Sequence, residues 1–180
     1  MKLAILGLAV VLALVGLSAS AHANLLSNPG FETNSFTSVS TPFDTSISTD
    51  IWGRTTSVFR SADARTGNFS LEVSQASNES NKGFEQIVTV GNGTNGTFTI
   101  YHKQVSSSSV FKAYLRYLDS NRTLITSFSK TFTVGLTASW ASVSVTGTKP
   151  GGAAFAQVII VTNSSGVAKG RFDDASYTES

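Results

Sequence analysis

The sequence predicts an all-β fold, a single β-sandwich, on three observations. Apolar and polar residues alternate with period two from Asn24 onward, turn-forming clusters separate the alternating runs, and no stretch shows helical periodicity. The first clear run is Phe69-Ser70-Leu71-Glu72-Val73, followed by Ile87-Val88-Thr89-Val90 and Phe98-Thr99-Ile100-Tyr101. Next come Phe111-Lys112-Ala113-Tyr114-Leu115-Arg116-Tyr117, then the runs 128–134, 140–145, 154–161 and 171–177. The turns between them are rich in Gly, Asn, Ser and Asp: 91–96, 106–109, 119–121, 149–152 and 163–166. Those residues supply left-handed backbone and local side-chain hydrogen bonds. Abundant Ser and Thr then read as solvated strand faces. Residues 33–50 lack alternation but contain Phe36, Phe43 and Ile47, so they are expected as a loop laid over the sandwich.

Composition narrows the function. With 180 residues and no internal repeat, the chain is sized for one domain. It has no Cys, which removes disulfides, thiolate metal sites and a Cys nucleophile. A net charge of +2 provides no basic stripe for nucleic acid. Lys2, the apolar run Leu3–Leu17 and the ending Ala21-His22-Ala23 form the charged, apolar and small-residue regions of a secretory signal peptide. Residues 1–23 are therefore expected as a cleaved leader, and residues 24–180 as the working domain. That domain is expected outside the cytoplasm, extracellular or periplasmic. No later stretch is long and apolar enough for a membrane span.

Several segments carry a family resemblance. Asn24-Leu25-Leu26-Ser27-Asn28-Pro29-Gly30-Phe31-Glu32 resembles the opening of the carbohydrate-binding modules grouped as families 4, 9, 16 and 22, and Trp52 follows at a similar interval. Ala64-Arg65-Thr66-Gly67-Asn68-Phe69-Ser70-Leu71, Gln86–Val90, Arg116–Asp119, Trp140 with Pro150-Gly151, and Phe172-Asp173-Asp174-Ala175-Ser176 are similar to later motifs in the same order. The resemblance implies a galactose-binding-like jelly roll. It also implies a polysaccharide or glycan partner, with cell-surface or matrix components as further partners.

Sugars bind where aromatic rings meet apolar C–H faces and a few polar groups fix the hydroxyls. If the more apolar set of each strand faces the core, Tyr101, Lys103, Tyr114 and Arg116 stand outward together on a concave face. Trp52, in what reads as a loop, is a candidate stacking platform; its alternative is packing at the sandwich edge. His102 shares the parity of Ile100 and reads as an interior or edge residue. Twelve Phe against four Tyr and two Trp indicate a phenylalanine-filled core.

The resemblance also implies a structural Ca²⁺ held by Glu32 near the start and Asp173 near the end. Backbone oxygens would help, with Gly30 and Gly67 letting the chain turn toward the ion. Ca²⁺ takes six to eight oxygen ligands, which such a set can supply.

Catalysis is not expected. Residues 24–180 contain one His and no Cys, and no acid pair stands in a recognisable glycosidase setting. The expectation is a secreted, non-catalytic carbohydrate-binding protein; the alternative is a secreted structural or adhesive matrix protein using the sandwich for protein contacts.

Overall fold

The computed structural model describes residues 22–106, 108–135, 139–163 and 165–180; the leader expected over 1–23 falls outside them up to residue 21. The described residues form β1 (Phe36–Ser38), β2 (Trp52–Arg54), β3 (Val58–Ser61), β4 (Ser70–Gln75) and β5 (Gly83–Thr89). They continue with β6 (Asn95–Lys103), β7 (Ser109–Leu118), β8 (Leu124–Val134), β9 (Ala141–Thr148), β10 (Phe155–Thr162) and β11 (Ala168–Glu179). Among the described residues no helix is long and apolar enough to cross a membrane.

Every alternating run of the sequence is a strand, from β4 through β11. The three short strands β1–β3 were not expected, because three or four residues carry too little period to register. The strands make two sheets: β1-β2-β5-β10-β7-β8 with six, and β3-β4-β11-β6-β9 with five. Only β1 with β2 is parallel. Consecutive strands β6 and β7 lie in different sheets, so the chain crosses the sandwich between them.

Alternation sorts the side chains as the pattern requires. On β7, Phe111, Ala113, Leu115 and Tyr117 are buried, while Lys112, Tyr114 and Arg116 are half-buried on the outer face. Rings from both sheets meet in the core. Phe84 of β5 packs edge-on to Phe172 of β11 at 5.5 Å, and Phe172 packs against Phe111 of β7 at 5.0 Å. Burying a side chain of that size stabilises the fold by roughly 1.5–3 kcal/mol.

The segment 39–50 lies over the outside of the six-stranded sheet, as expected. Val39 and Ile47 cover Ile87 and Leu118, with Phe155 beside them, as a second small core. At Gly53 a side chain would press on Val39, Ile47 and Glu85, which pack closely over it.

Candidate functional site

The two outward Tyr/cation pairs expected on one face lie on opposite faces. Tyr101 and Lys103 belong to β6 in the five-stranded sheet, Tyr114 and Arg116 to β7 in the six-stranded sheet. Their outward parity is correct; their expected union is not. Alternation tells inside from outside, and the crossover between β6 and β7 reverses which outside is meant.

Trp52 is also corrected. It is 1% exposed, in β2, and packs at 5.1 Å from Phe31 and 5.7 Å from Phe84. Its indole N–H donates to the Ser27 carbonyl at 2.9 Å. Pairing of Trp52 with Gln86 points the ring inward, so it is core and no sugar platform. Trp140, read as a strand-opening residue, is half-buried, with Lys103 Nζ 5.7 Å from its ring. His102 is nearly buried, as expected, and burial lowers its pKa.

On the five-stranded face several charges are paired, Lys169 of β11 being in no ion pair among the described residues. Lys103 Nζ donates to both Asp63 oxygens at 2.8 and 3.0 Å, and Arg171 bridges Asp63 and Glu72. These contacts hold the Asp63 carboxyl below its usual range, the Lys103 hydrogen bond first. The Arg65 guanidinium lies 3.6 Å over the Tyr101 ring. The expected ligand residues of this face are thus engaged with the protein itself.

The six-stranded face is built differently. Registers set three outward rows: Ser127, Arg116, Gln157, Ile87; then Ser129, Tyr114, Ile159, Glu85; then Thr131, Lys112, Val161, Gly83. Glu85 is fully buried beneath the covering segment and accepts hydrogen bonds from the Phe43 N–H at 2.7 Å and the Asp44 N–H at 3.0 Å. Gln157 donates to Glu85 at 2.7 Å and accepts from Arg116 at 2.7 Å. Phe43, at φ +82°, packs edge-on to Tyr114 at 5.0 Å and lies 5.2 Å from the Arg116 guanidinium. An aromatic pair therefore sits beside a buried polar array that fixes one guanidinium. Sequence reasoning missed Glu85 and Phe43; the signal available was a lone acid in the otherwise uncharged run of β5.

A third cluster joins the two ends of the chain. Asp173 is fully buried and accepts from the Arg65 N–H at 2.7 Å, the Thr66 N–H at 3.3 Å and the Asp174 N–H at 2.8 Å. Glu32 accepts from the Asn68 and Phe69 N–H groups, each at 3.0 Å. Asp174 pairs with Arg65 at 2.6 Å. A methyl group at Gly30 would lie 3.8 Å from Asp173 Oδ1, Asp174 Oδ1 and Glu32 Cγ, so the three acids surround that point. Burial pushes Asp173 up to about 6, against its N–H bonds.

Gly67, at φ +65°, makes the turn that aims the 68 and 69 amides at Glu32, and a side chain there would overlap that carboxylate. Gly30 has no left-handed backbone, so the conformational freedom expected at both glycines is used at Gly67. No group of three or more His, Cys, Asp and Glu among the described residues is arranged as a metal centre. Glu32 and Asp173 offer only oxygens and no cationic side chain is bonded to Asp173, whereas Asp174 is engaged by Arg65 and Thr66.

A pocket of about 230 Å³, lined among others by Leu25, Gly91, Gly93 and Glu179, lies where the chain ends meet, away from both outer faces.

No protein-family model and no curated protein sequence matches the chain. Solved structures do. The CBM22-1 xylan-binding domain of Paenibacillus barcinonensis Xyn10C superposes with TM-score 0.61 at 16% identity, covering 90% of this chain and 97% of that one. TmCBM61, solved with β-1,4-galactotriose, gives 0.58 at 20%, covering 88% and 99%. The enzymatically active domain of bacteriophage CBA120 tailspike protein 4 gives 0.59 at 16%, but the 87% of this chain that aligns spans only 21% of that chain. The fold is the jelly-roll sandwich of carbohydrate-binding modules.

Burial pushes the Glu85 carboxyl up to about 7, opposed by its N–H bonds from Phe43 and Asp44; Asp44 adds to the rise. A carboxyl with a raised folded pKa contributes stability that is complete below its unfolded pKa and is lost as pH rises through the folded value. Unfolding free energy in urea should therefore fall between about pH 5 and pH 8, by on the order of 3 kcal/mol at most. Glu85→Gln should flatten this limb; equal slopes in the two proteins would refute the assignment.

Proposed function

We propose that the protein is a secreted, non-catalytic carbohydrate-binding protein whose polysaccharide or glycan ligand lies on the outer face of the six-stranded sheet. The observation that carries this reading is the buried array Glu85–Gln157–Arg116 beside the Phe43–Tyr114 ring pair. It supplies an apolar ring edge with a few fixed polar groups, the chemistry of a sugar site. The opposite face is less suited, since Lys103 and Tyr101 are held by Asp63 and Arg65. The fold adds support: it is shared with a xylan-binding domain and with a module solved with galactotriose. Tyr114 offers ring and hydroxyl, Arg116 donors to sugar oxygens, and Gln157 and Glu85 the positioning of Arg116 and of the covering segment.

Pull-down on insoluble glucan, xylan, mannan and galactan, and on immobilised polygalacturonate and dextran sulfate, tests the reading. Retention on at least one is expected, with Tyr114→Ala reducing it about tenfold or more, as loss of a stacking ring predicts, and Tyr101→Ala leaving it unchanged. No retention on any of them would sink sugar binding in favour of a structural or adhesive role.

A structural Ca²⁺ between the chain ends is the second part of the proposal. Glu32 and Asp173 would hold it with backbone oxygens of the turn at Gly67, and it would offset their negative charge. Chelator should lower the melting temperature of the wild type and leave Asp173→Ala unmoved. An unchanged wild-type melting curve removes the ion.

Secretion rests on the leader motif of residues 1–23. Expressed in full, the protein should be recovered outside the cytoplasm with Asn24 as its first residue; N-terminal sequencing that finds Met1 intact would contradict this.

A further inference from the structure

Charge is distributed unevenly between the two sheets. The five-stranded sheet carries Glu72, Asp173, Asp174 and Glu179 beside Arg60, Lys103, Lys169 and Arg171. Glu85 is the one acid in the six strands of the other sheet, against Arg54, Lys112, Arg116 and Lys130. β7, β8 and β10 contain no Asp or Glu at all.

The partners of these cations differ as well. Lys103 and Arg171 are ion-paired. Among the described residues Lys112 and Arg116 have no carboxylate partner: Lys112 Nζ lies 4.8 Å over the Tyr114 ring, and Arg116 donates to the neutral amide of Gln157. Arg54 is turned to the Val58 carbonyl and the Phe36 ring. Glu85 is sealed beneath Phe43 and Asp44; it acts on Arg116 through Gln157 and through its field, without an ion pair among the described residues.

The nearby loops carry acids, none of which forms an ion pair with Lys112 or Arg116 among the described residues. Asp44 accepts from the amide and hydroxyl of Ser46, and Asp119 from the amides of Asn121 and Thr123 in the β7–β8 turn. Asp50 binds through its amide to the Ile87 carbonyl on β5, two strand spacings or about 10 Å from β7. Arg122 adds a further cation, bonded to the Thr45 and Ile47 carbonyls.

Lys112, Tyr114 and Arg116 thus form a cation–ring–cation line, roughly 13 Å from end to end at the strand rise of about 3.3 Å per residue. Beside it runs the exposed hydroxyl line Ser127, Ser129 and Thr131 on β8. We infer that the polysaccharide bound on this face is anionic, its sugar units bearing carboxylate or sulfate groups that pair with Lys112 and Arg116 on either side of a sugar stacked on Tyr114. Such groups form charge-assisted hydrogen bonds with both cations. This inference rests on the sugar-binding reading above and adds the ligand's charge.

Affinity electrophoresis of the full chain in gels containing polygalacturonate, dextran sulfate, neutral dextran or polyglutamate tests it. Retardation is expected in polygalacturonate or dextran sulfate, whose difference separates carboxylate from sulfate recognition, and not in polyglutamate. Lys112→Gln with Arg116→Gln should weaken that retardation about tenfold or more, the equivalent of losing one charge-assisted contact. Lys103→Gln with Arg171→Gln, on the other face, should not. If the first double variant fails to fold, Lys112→Gln alone serves, because its ammonium touches only the Tyr114 ring. Equal retardation in polyglutamate, or equal loss from the opposite-face variant, would reduce the effect to bare charge and overturn the inference. Retention confined to neutral glycans would overturn it while leaving sugar binding intact; no retention on any glycan would overturn both.

Discussion

The structure depends on a cluster of aromatic rings that crosses between its two sheets. Phe84 and Phe111 reach in from the six-stranded sheet and meet Phe172 from the other, with Phe31, Trp52 and Phe132 around them. Edge-to-face contacts among such rings add about 0.5–1.5 kcal/mol each beyond the area they bury. With no Cys in the chain, no disulfide ties the sheets together, and this cluster holds them face to face. It also explains why the outer faces are sparse in rings: Phe31, Phe84, Phe98, Phe111, Phe172 and Trp52 are all enclosed.

The opening segment is recruited into that cluster by polar contacts. Asn24 bonds to the Ala175 carbonyl and accepts from the Tyr177 amide, which fastens the start of the domain to β11. Asn28 closes a loop with Thr33 through both of its amide atoms, and left-handed backbone at Asn28 and Phe31 turns the Phe31 ring inward. The same turn delivers Glu32 to the amides of Asn68 and Phe69, close to Asp173. A buried core contact and a candidate cation site are consequences of one local geometry.

How much of this was legible depends on what alternation encodes. It gave β4 to β11 and the correct inward set on β7, because long strands repeat the pattern several times. It leaves out β2, whose three residues Trp52-Gly53-Arg54 hold no readable period, so parity does not decide between an exposed and a packed Trp52. It placed Tyr101 and Tyr114 outward but could not place them on opposite sheets, since parity carries no record of strand order. Glu85 escaped notice because an acid on an apolar strand looks the same in sequence whether it faces solvent or lies beneath a loop. Glu32 and Asp173 come from the motif resemblance alone, and the fold brings both to the same loop, 65–69.

The contrast between the outer faces follows from how each manages its charges. Exposed ion pairs such as Lys103–Asp63 contribute little stability, about 0–1 kcal/mol, but they neutralise a surface and occupy its donors. Lys103 and Arg171, engaged this way, have little electrostatic demand left for a ligand to satisfy. On the other face the polar contacts run through a neutral amide: Gln157 orders Arg116 without cancelling its charge, and Glu85, its proton held tightly by burial, stays out of solvent contact. Ordering a guanidinium while leaving it unneutralised lowers the entropic cost of later contacts, since the side chain is already fixed before a ligand arrives. The outward positions next to Arg116 on β8 and β10 are Ser127 and Gln157. Under the proposed reading, that lack of an ion pair at Arg116 is what distinguishes this face from the one where Lys103 meets Asp63.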